Sequence, residues 1–280
     1  TSDPTANPTT LDAQGQGRVL YITGNTAPNI EGLRITGGDG TGLGGYPWGN
    51  DDAGGGMYVN GTTATISNCV VISNTASTAD FGNGGGLYLY DSAATLSGNR
   101  VINNTASTAS AGSGGGLYLM DSDAVLSDNT LIGNTASTAE GCLAYAGGLY
   151  LDSSDATLSG NTVQGNTAGT ASSGLGGGLY LSLSRATLSG NRIISNTAST
   201  ADWAYGGGLY LYWSDATLSD NMVQGNTAST GWTGEGGGLY LNSSDATLTG
   251  NKVQDNAAST AGGGNGAGLY LQYSDATLPG

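Results

Sequence analysis

Gly84 to Ser113, GGGLYLYDSAATLSGNRVINNTASTASAGS, is one of a series of near copies that runs along the chain. Tyr58, Tyr88, Tyr118, Tyr150, Tyr180, Tyr210, Tyr240 and Tyr270 each follow a glycine and then Leu or Met, at a spacing of 30 residues broken once by 32. A fixed period of this length marks a repeat architecture. The unit lacks the i, i+3, i+4 apolar pattern of a helix, which excludes helical repeats. It holds three short alternating stretches instead: Leu87-Tyr88-Leu89, Ala94-Thr95-Leu96, and Val101 between Arg100 and Ile102. Small residues separate them, so three strands joined by corners are predicted. One unit cannot bury its own apolar side chains; units must stack, each strand pairing with its copy ~4.8 Å along the axis. The expected fold is all-β, a right-handed single-stranded parallel β-helix with three strands per coil and about nine coils of about 30 residues.

Aligning the units on the tyrosine shows which columns face inward. Leu87 and Leu89 are Leu, Met or Val in every unit, so they belong to the core and the tyrosine between them faces the other way. Val71, Val101, Leu131, Val163, Ile193, Val223 and Val253 form another inward column, whereas the following position drifts between Ile72, Gln164 and Gln224 and is solvated. Two asparagine columns stand at the corners: Asn99, Asn129, Asn161, Asn191, Asn221 and Asn251, and Asn74, Asn104, Asn134, Asn166, Asn196, Asn226 and Asn256. Stacked amides can bond to the amides above and below, and Asn tolerates the left-handed conformation that a corner needs. Cys69 and, one coil earlier, Leu33 stand where the first column would continue, as suits the end of a hydrogen-bonded stack.

The composition agrees with a narrow core. Glycine supplies 52 residues, charged residues are 10%, and Phe, Met, Cys and Pro are scarce. With 21 acidic against 6 basic residues and no His, the formal charge is −15, which argues against nucleic acid because phosphate neutralisation needs clustered Lys and Arg. No apolar run is long enough to span a bilayer, so membrane insertion is not expected. Thr1 opens without a Met or a leader-like pattern, and the chain reads as mature or excised.

One solenoid domain is expected over 1–280: an extension over 1–17, a degenerate coil over 18–36, an inserted loop over 37–54 and regular repeats over 55–280. Neither end reads as capped. The chain stops at Leu278-Pro279-Gly280 after a second strand, and Thr9-Thr10-Leu11 resembles a third strand ahead of Leu20-Tyr21-Ile22. Self-association, end to end or lateral, is the partner expectation, set against a fragment with its caps removed.

The Gly-Gly-Leu-Tyr and Val/Ile-x-x-Asn-Thr-Ala units, as in Val101-Ile102-Asn103-Asn104-Thr105-Ala106, resemble the GGA(I/L/V) and FxxN repeats of polymorphic outer-membrane proteins. More broadly they resemble secreted bacterial β-helix proteins of the pectate-lyase-like superfold. Val or Ile stands where the polymorphic family has Phe. The resemblance covers nearly the whole chain and implies the outside of a bacterial or archaeal cell; among adhesins, autotransporter passengers and polysaccharide-degrading enzymes it does not choose.

A polysaccharide-cleaving enzyme needs paired carboxylates in a cleft, or calcium ligands beside a basic residue. Asp123, Asp155, Asp215, Asp245 and Asp275 line one outward corner with Arg185 among them. No unit departs from its neighbours, and the cations Arg18, Arg34, Arg100, Arg185, Arg192 and Lys252 are scattered, so this column reads as a solvated stripe and no catalytic residue is assigned. No cofactor is expected beyond calcium, for which Asp39, Asp51 and Asp52 in the inserted loop are the candidate ligands. The tyrosine column leaves two readings. Either segments such as Thr105 to Ala109 fold back over it, or it is an exposed stripe for a glycan or another copy. The contacts named for that stripe are Tyr88, Tyr118, Tyr210 and Tyr240, joined in the later coils by Trp203, Trp213, Trp232 and Tyr273. The expected function is a non-enzymatic extracellular structural or adhesive solenoid, a filament subunit among the options, with a carbohydrate-binding or polysaccharide-degrading protein as the alternative.

Overall fold

A computed structural model describes residues 9–279 of the chain as a parallel β-solenoid. Leu87 pairs with Leu117, Leu96 with Leu126 and Val101 with Leu131, so each strand lies directly over its copy one period later. The three expected strands of the coil, Leu87–Tyr90, Thr95–Ser97 and Arg100–Ile102, build sheets of nine, eight and nine strands. Their inward Leu, Ile, Val and Ala side chains form one continuous buried cluster from Ile35 to Leu248. Each buried leucine contributes about 2 kcal/mol, and the cluster stays one or two side chains wide because three sheets enclose it.

Two further ladders complete each coil. Thr105–Ser107 and Gly112–Ser113, with their copies, form sheets of seven and eight strands. The chain runs out along the first of these and returns along the second, with only alanine or glycine between them: Ala136, Ala144 and Ala168 pack together, as do Ala198, Ala204 and Ala228. A Cβ on Gly82 or Gly112 would sit 1.9 Å from the carbonyl of Ala106 or Ala136, so the two layers meet backbone to backbone. The glycine run that follows serves the same closeness: a Cβ on Gly86 would lie 2.6 Å from the carbonyl of Gly116 in the next coil.

This outer double layer lies against the outward face of the Leu-Tyr-Leu sheet and covers its tyrosines. Of the expected amino-terminal extension, residues 1–8 lie outside the described residues; Thr9–Asp12 pairs in parallel with Leu33–Thr36 and adds a strand to the third sheet. The insertion over 37–54 is more than an external loop. Asp39 bridges to Thr75 and Asp52–Ala53 pairs with Gly82–Asn83, so its two ends supply the first rungs of the outer ladders. Only its middle, with Leu43 and Trp48, projects into solvent.

The corners also differ from expectation in one respect. The ladder asparagines do not take the left-handed conformation; the residues just before them do, among them Ser73, Asn103, Asp128, Ser195, Asp220 and Asp255. The turn is made one residue early, and this aims the asparagine side chain into the stack.

Candidate functional site

The two asparagine columns are buried and continuous. Asn99 Nδ2 donates to Ile66 O in the coil before and to Asn129 Oδ1 in the coil after, and Asn129 Oδ1 also accepts the Asn99 main-chain N–H. The same three bonds recur through Asn129, Asn161, Asn191 and Asn221, and in the second column from Asn74 to Asn226. Asn251 and Asn256, the last rungs, each donate Nδ2 to the coil before, to Leu218 O and Val223 O. The opposite ends are closed by groups that ask for no amide: Cys69 N donates to Asn99 Oδ1, and Gly38 N to Asn74 Oδ1. Arg34 lies opposite Val70, which sets Leu33 over Cys69.

A third polar ladder is absent from the sequence reading. Ser92, Ser122, Ser154, Ser184, Ser214, Ser244 and Ser274 follow the tyrosine by four residues; each hydroxyl accepts the main-chain N–H of the coil before and donates to the carbonyl two residues back in its own coil. The signal for it is a serine repeated at one place in seven coils, easily missed because a small polar residue in a turn has so many other uses.

The tyrosine column is corrected from a surface to a second core. Tyr58, Tyr88, Tyr118, Tyr180, Tyr210 and Tyr240 are buried, and Tyr150 and Tyr270 are half-buried. Ring centroids from Tyr21 to Tyr270 follow one another at 4.5 to 5.5 Å. Leu175, Tyr145, Tyr205 and Trp203 from the returning strand and its approach lie against them. At the amino-terminal end Arg18 holds the insertion in place: its Nε donates to Ala53 O at 2.6 Å, its guanidinium lies 5.0 Å over the Tyr58 ring, and Tyr58 in turn donates to Gly45 O. Tyr88, Tyr118, Tyr210 and Tyr240 are therefore inaccessible to an external partner. Burial pushes their phenols up, that of Tyr210 to about 12.

Four of the hydroxyls, those of Tyr88, Tyr118, Tyr210 and Tyr240, find a partner two places after the tyrosine of the next coil. Tyr88 reaches Met120 Sδ, Tyr240 donates to Gln272 Oε1, and Asn242 Nδ2 donates to Tyr210 Oη. In one coil that partner is a carboxylate: Tyr118 Oη donates to Asp152 Oδ2 at 2.9 Å. Asp152 is half-buried, and burial raises its carboxyl above the usual carboxylate range against the opposing pull of the Tyr118 bond. It sits beside the stacked phenols of Tyr118 and Tyr150, and nothing in the sequence marks it out because its column is variable.

The insertion aspartates do not converge. Asp39 Oδ1 accepts from Thr41 N and Oγ1, and the buried Asp52 accepts from Gly44 N and Ser77 Oγ. Asp51 stands apart with its carboxyl raised by burial and by Asp80. Among the described residues no three acidic, His or Cys side chains form a group able to hold a metal ion.

The acidic column lies on the surface and has a structural task. Asp155 N donates to Asp123 Oδ1, Arg185 N to Asp155 Oδ1, Asp245 N to Asp215 Oδ1 and Asp275 N to Asp245 Oδ1, at 2.6 to 2.9 Å. The Arg185–Asp155 ion pair is 4.0 Å long and well exposed, a geometry worth less than about 1 kcal/mol. Two residues before this column the chain turns through a left-handed position. Gly61, Asp91, Asp121, Ser153 and Ser243 occupy it in five coils, and Leu183, Trp213 and Tyr273 in three. That conformation costs a bulky residue roughly 1–2 kcal/mol, yet Leu183 and Trp213 are 59% exposed and Tyr273 is 86% exposed. Trp232, also exposed, projects separately from the outer turn.

A family model for the right handed beta helix region matches residues 13–228 and 148–278, which together span nearly the whole chain. The chain belongs to the right-handed β-helix family. No curated protein matches the sequence. Among solved structures it is similar to the periplasmic alginate epimerase AlgG as a D317A mutant (11% identity, 98% of this chain and 79% of that one, TM-score 0.26). It is similar also to the A-module of mannuronan C-5 epimerase AlgE4 from Azotobacter vinelandii (14%, 94% and 91%, TM-score 0.22). A third is PfbA, a surface adhesin of Streptococcus pneumoniae (8%, 95% and 87%, TM-score 0.17). Superpositions this loose carry no argument about activity or ligand. Among the described residues, no helix of this β-helix protein is long and apolar enough to cross a membrane.

Proposed function

We propose that this β-helix protein is a non-enzymatic structural or adhesive rod that works outside the cell. One observation carries the reading: its buried chemistry is spent coil on coil. The amides of two asparagine columns, the hydroxyls of the serine column and the rings of the tyrosine column are partnered to the coils above and below, and the surface aspartates hold main-chain N–H groups of the next coil. Such a rod resists local opening, because opening one coil breaks its ladders on both faces. Stacking against a further coil, of the same polypeptide or of a second copy, would also cover Leu269, Leu271 and Leu278; the first and last of these line an apolar hollow of about 530 Å³ with Leu239, Leu248 and Val253. Sedimentation of the 280-residue chain reads out the second case.

The carbohydrate-processing alternative has one observation in its favour, the half-buried Asp152 beside Tyr118, its carboxyl raised by burial. The two readings separate in a turnover assay on neutral and uronate polysaccharides, following reducing ends and unsaturated or epimerised products. The structural reading expects no turnover. Turnover that disappears in Asp152→Asn refutes it.

A further inference from the structure

The turn that carries Leu183, Trp213 and Tyr273 is the place where this chain acts against its own folding interest. In five coils the same turn holds Gly, Asp or Ser, residues that tolerate a φ near +50° and face water without penalty. In three coils of the carboxy-terminal half a bulky apolar side chain takes that conformation and is left in solvent. Neither packing nor backbone preference selects it, and strain of this kind persists where something outside the fold uses the side chain. Tyr212, itself more than a third exposed, meets Trp213 edge to face at 6.3 Å and steadies it.

The arrangement specifies the ligand class. Leu183, Trp213 and Tyr273 stand in one column, one and then two coils apart, so the platforms run along the solenoid axis for on the order of 14 Å. A partner that uses all three presents flat apolar faces at a regular step along a line, as an extended sugar chain does. Two residues on, the parallel row of Asp215, Asp245 and Asp275 is exposed. Asp215 and Asp245 each commit Oδ1 to a main-chain N–H, and both residues are exposed, so the second carboxylate oxygen can accept from sugar hydroxyls. The carboxylate row and a net charge of −15 repel a polyanion, which excludes uronate polymers and nucleic acid, and they oppose side-by-side contact with a second copy through the same corner.

We propose that this corner binds an extended, uncharged polysaccharide lying along the solenoid axis, with sugar faces stacked on Trp213 and Tyr273, apolar support from Leu183, and hydroxyls held by Asp215 and Asp245. The inference deepens the adhesive reading by naming its ligand class, and it rests on that reading. It needs no bond-making step.

The test is retention of the full chain on insoluble cellulose and chitin and its retardation in gels containing xylan, mannan or, as the polyanionic control, alginate. At least one neutral polymer is expected to bind. Trp213→Ala with Tyr273→Ala should weaken that binding about tenfold or more, while Trp232→Ala, an equally exposed ring on another turn, leaves it unchanged. Trp213→Gly should weaken binding while raising thermal stability, which separates lost contact from misfolding. Absence of binding to every neutral polymer, a preference for alginate, or binding untouched in the double variant overturns the proposal. So does concentration-dependent dimerisation that the double variant abolishes without any polysaccharide being bound. None of these outcomes touches the non-enzymatic reading, whose failure is read separately from turnover.

Discussion

Replacing Asn166 by alanine tests whether the amide ladders carry the stability of this fold. Asn166 Nδ2 donates to Leu131 O and to Asn196 Oδ1, and its Oδ1 accepts Asn134 N and Asn134 Nδ2. The substitution removes all four bonds. Asn196 Oδ1 keeps the Asn166 main-chain N–H and Leu131 O stays within the ladder to Thr162–Gln164, but two N–H donors of Asn134 are left unpaired inside the stack. At about 1–3 kcal/mol for each orphaned buried group, the cost is about 4 kcal/mol, or on the order of 10 °C in melting temperature for a chain of this size. Asn256→Ala removes the same residue type from a half-buried rung, where water replaces the lost partner, and should cost about 1 kcal/mol. Gln164→Ala, at an exposed position two residues away from Asn166, should be neutral to within about 0.5 kcal/mol. Guanidinium unfolding followed by far-ultraviolet circular dichroism gives the three values, and hydrogen exchange locates the loss, since stacked repeats need not unfold in a single step. If Asn166→Ala costs no more than Asn256→Ala, the ladders are incidental and the stability lies in the leucine and valine columns alone.

Asp152→Asn keeps an acceptor for Tyr118 and removes a carboxyl whose folded-state value is raised by burial. A raised carboxyl stabilises fully below its unfolded value and loses that contribution as pH rises through the folded one. The variant should therefore gain stability over the parent near neutral pH, with the gain vanishing below about pH 4, as paired melts across pH will read. Gly86→Ala drives a Cβ to 2.6 Å from Gly116 O in the neighbouring coil and should cost more than about 3 kcal/mol, whereas Gly165→Ala, left-handed but with open space around it, should cost about 1–2 kcal/mol. Both cysteines are free; Cys142, half-buried, should react with a thiol reagent in the native state, and the buried Cys69, its thiol pushed up by desolvation, only after unfolding. Equal labelling rates would contradict the burial assigned to Cys69.

The period of the glycine-leucine-tyrosine unit, the inward Leu87 and Leu89 columns, the Val101 column and both asparagine columns are all legible in the sequence, because stacking puts one residue type at one place in every coil. Strand alternation also gives the correct direction for the tyrosines, away from the leucine core. What alternation cannot give is their burial. It reports which face of a sheet a residue is on, and the layer covering that face comes from Thr105–Ser107 and Gly112–Ser113, segments whose alanines and glycines carry almost no hydrophobic signal. The insertion escapes the sequence for the same reason: Gly38 and Asp52–Ala53 join the ladders through their backbone, not through any side-chain pattern.

The sequence by itself determined that each coil lies in register over the last, since a 30-residue repeat of inward apolar residues has no other way to bury them. Only the tertiary structure decided which outward residues meet water. It encloses Tyr88 and Tyr118, half-buries Asp152, and leaves Trp213 and Tyr273 in solvent, because exposure depends on how the chain folds back over itself several residues away and no local pattern encodes that distance.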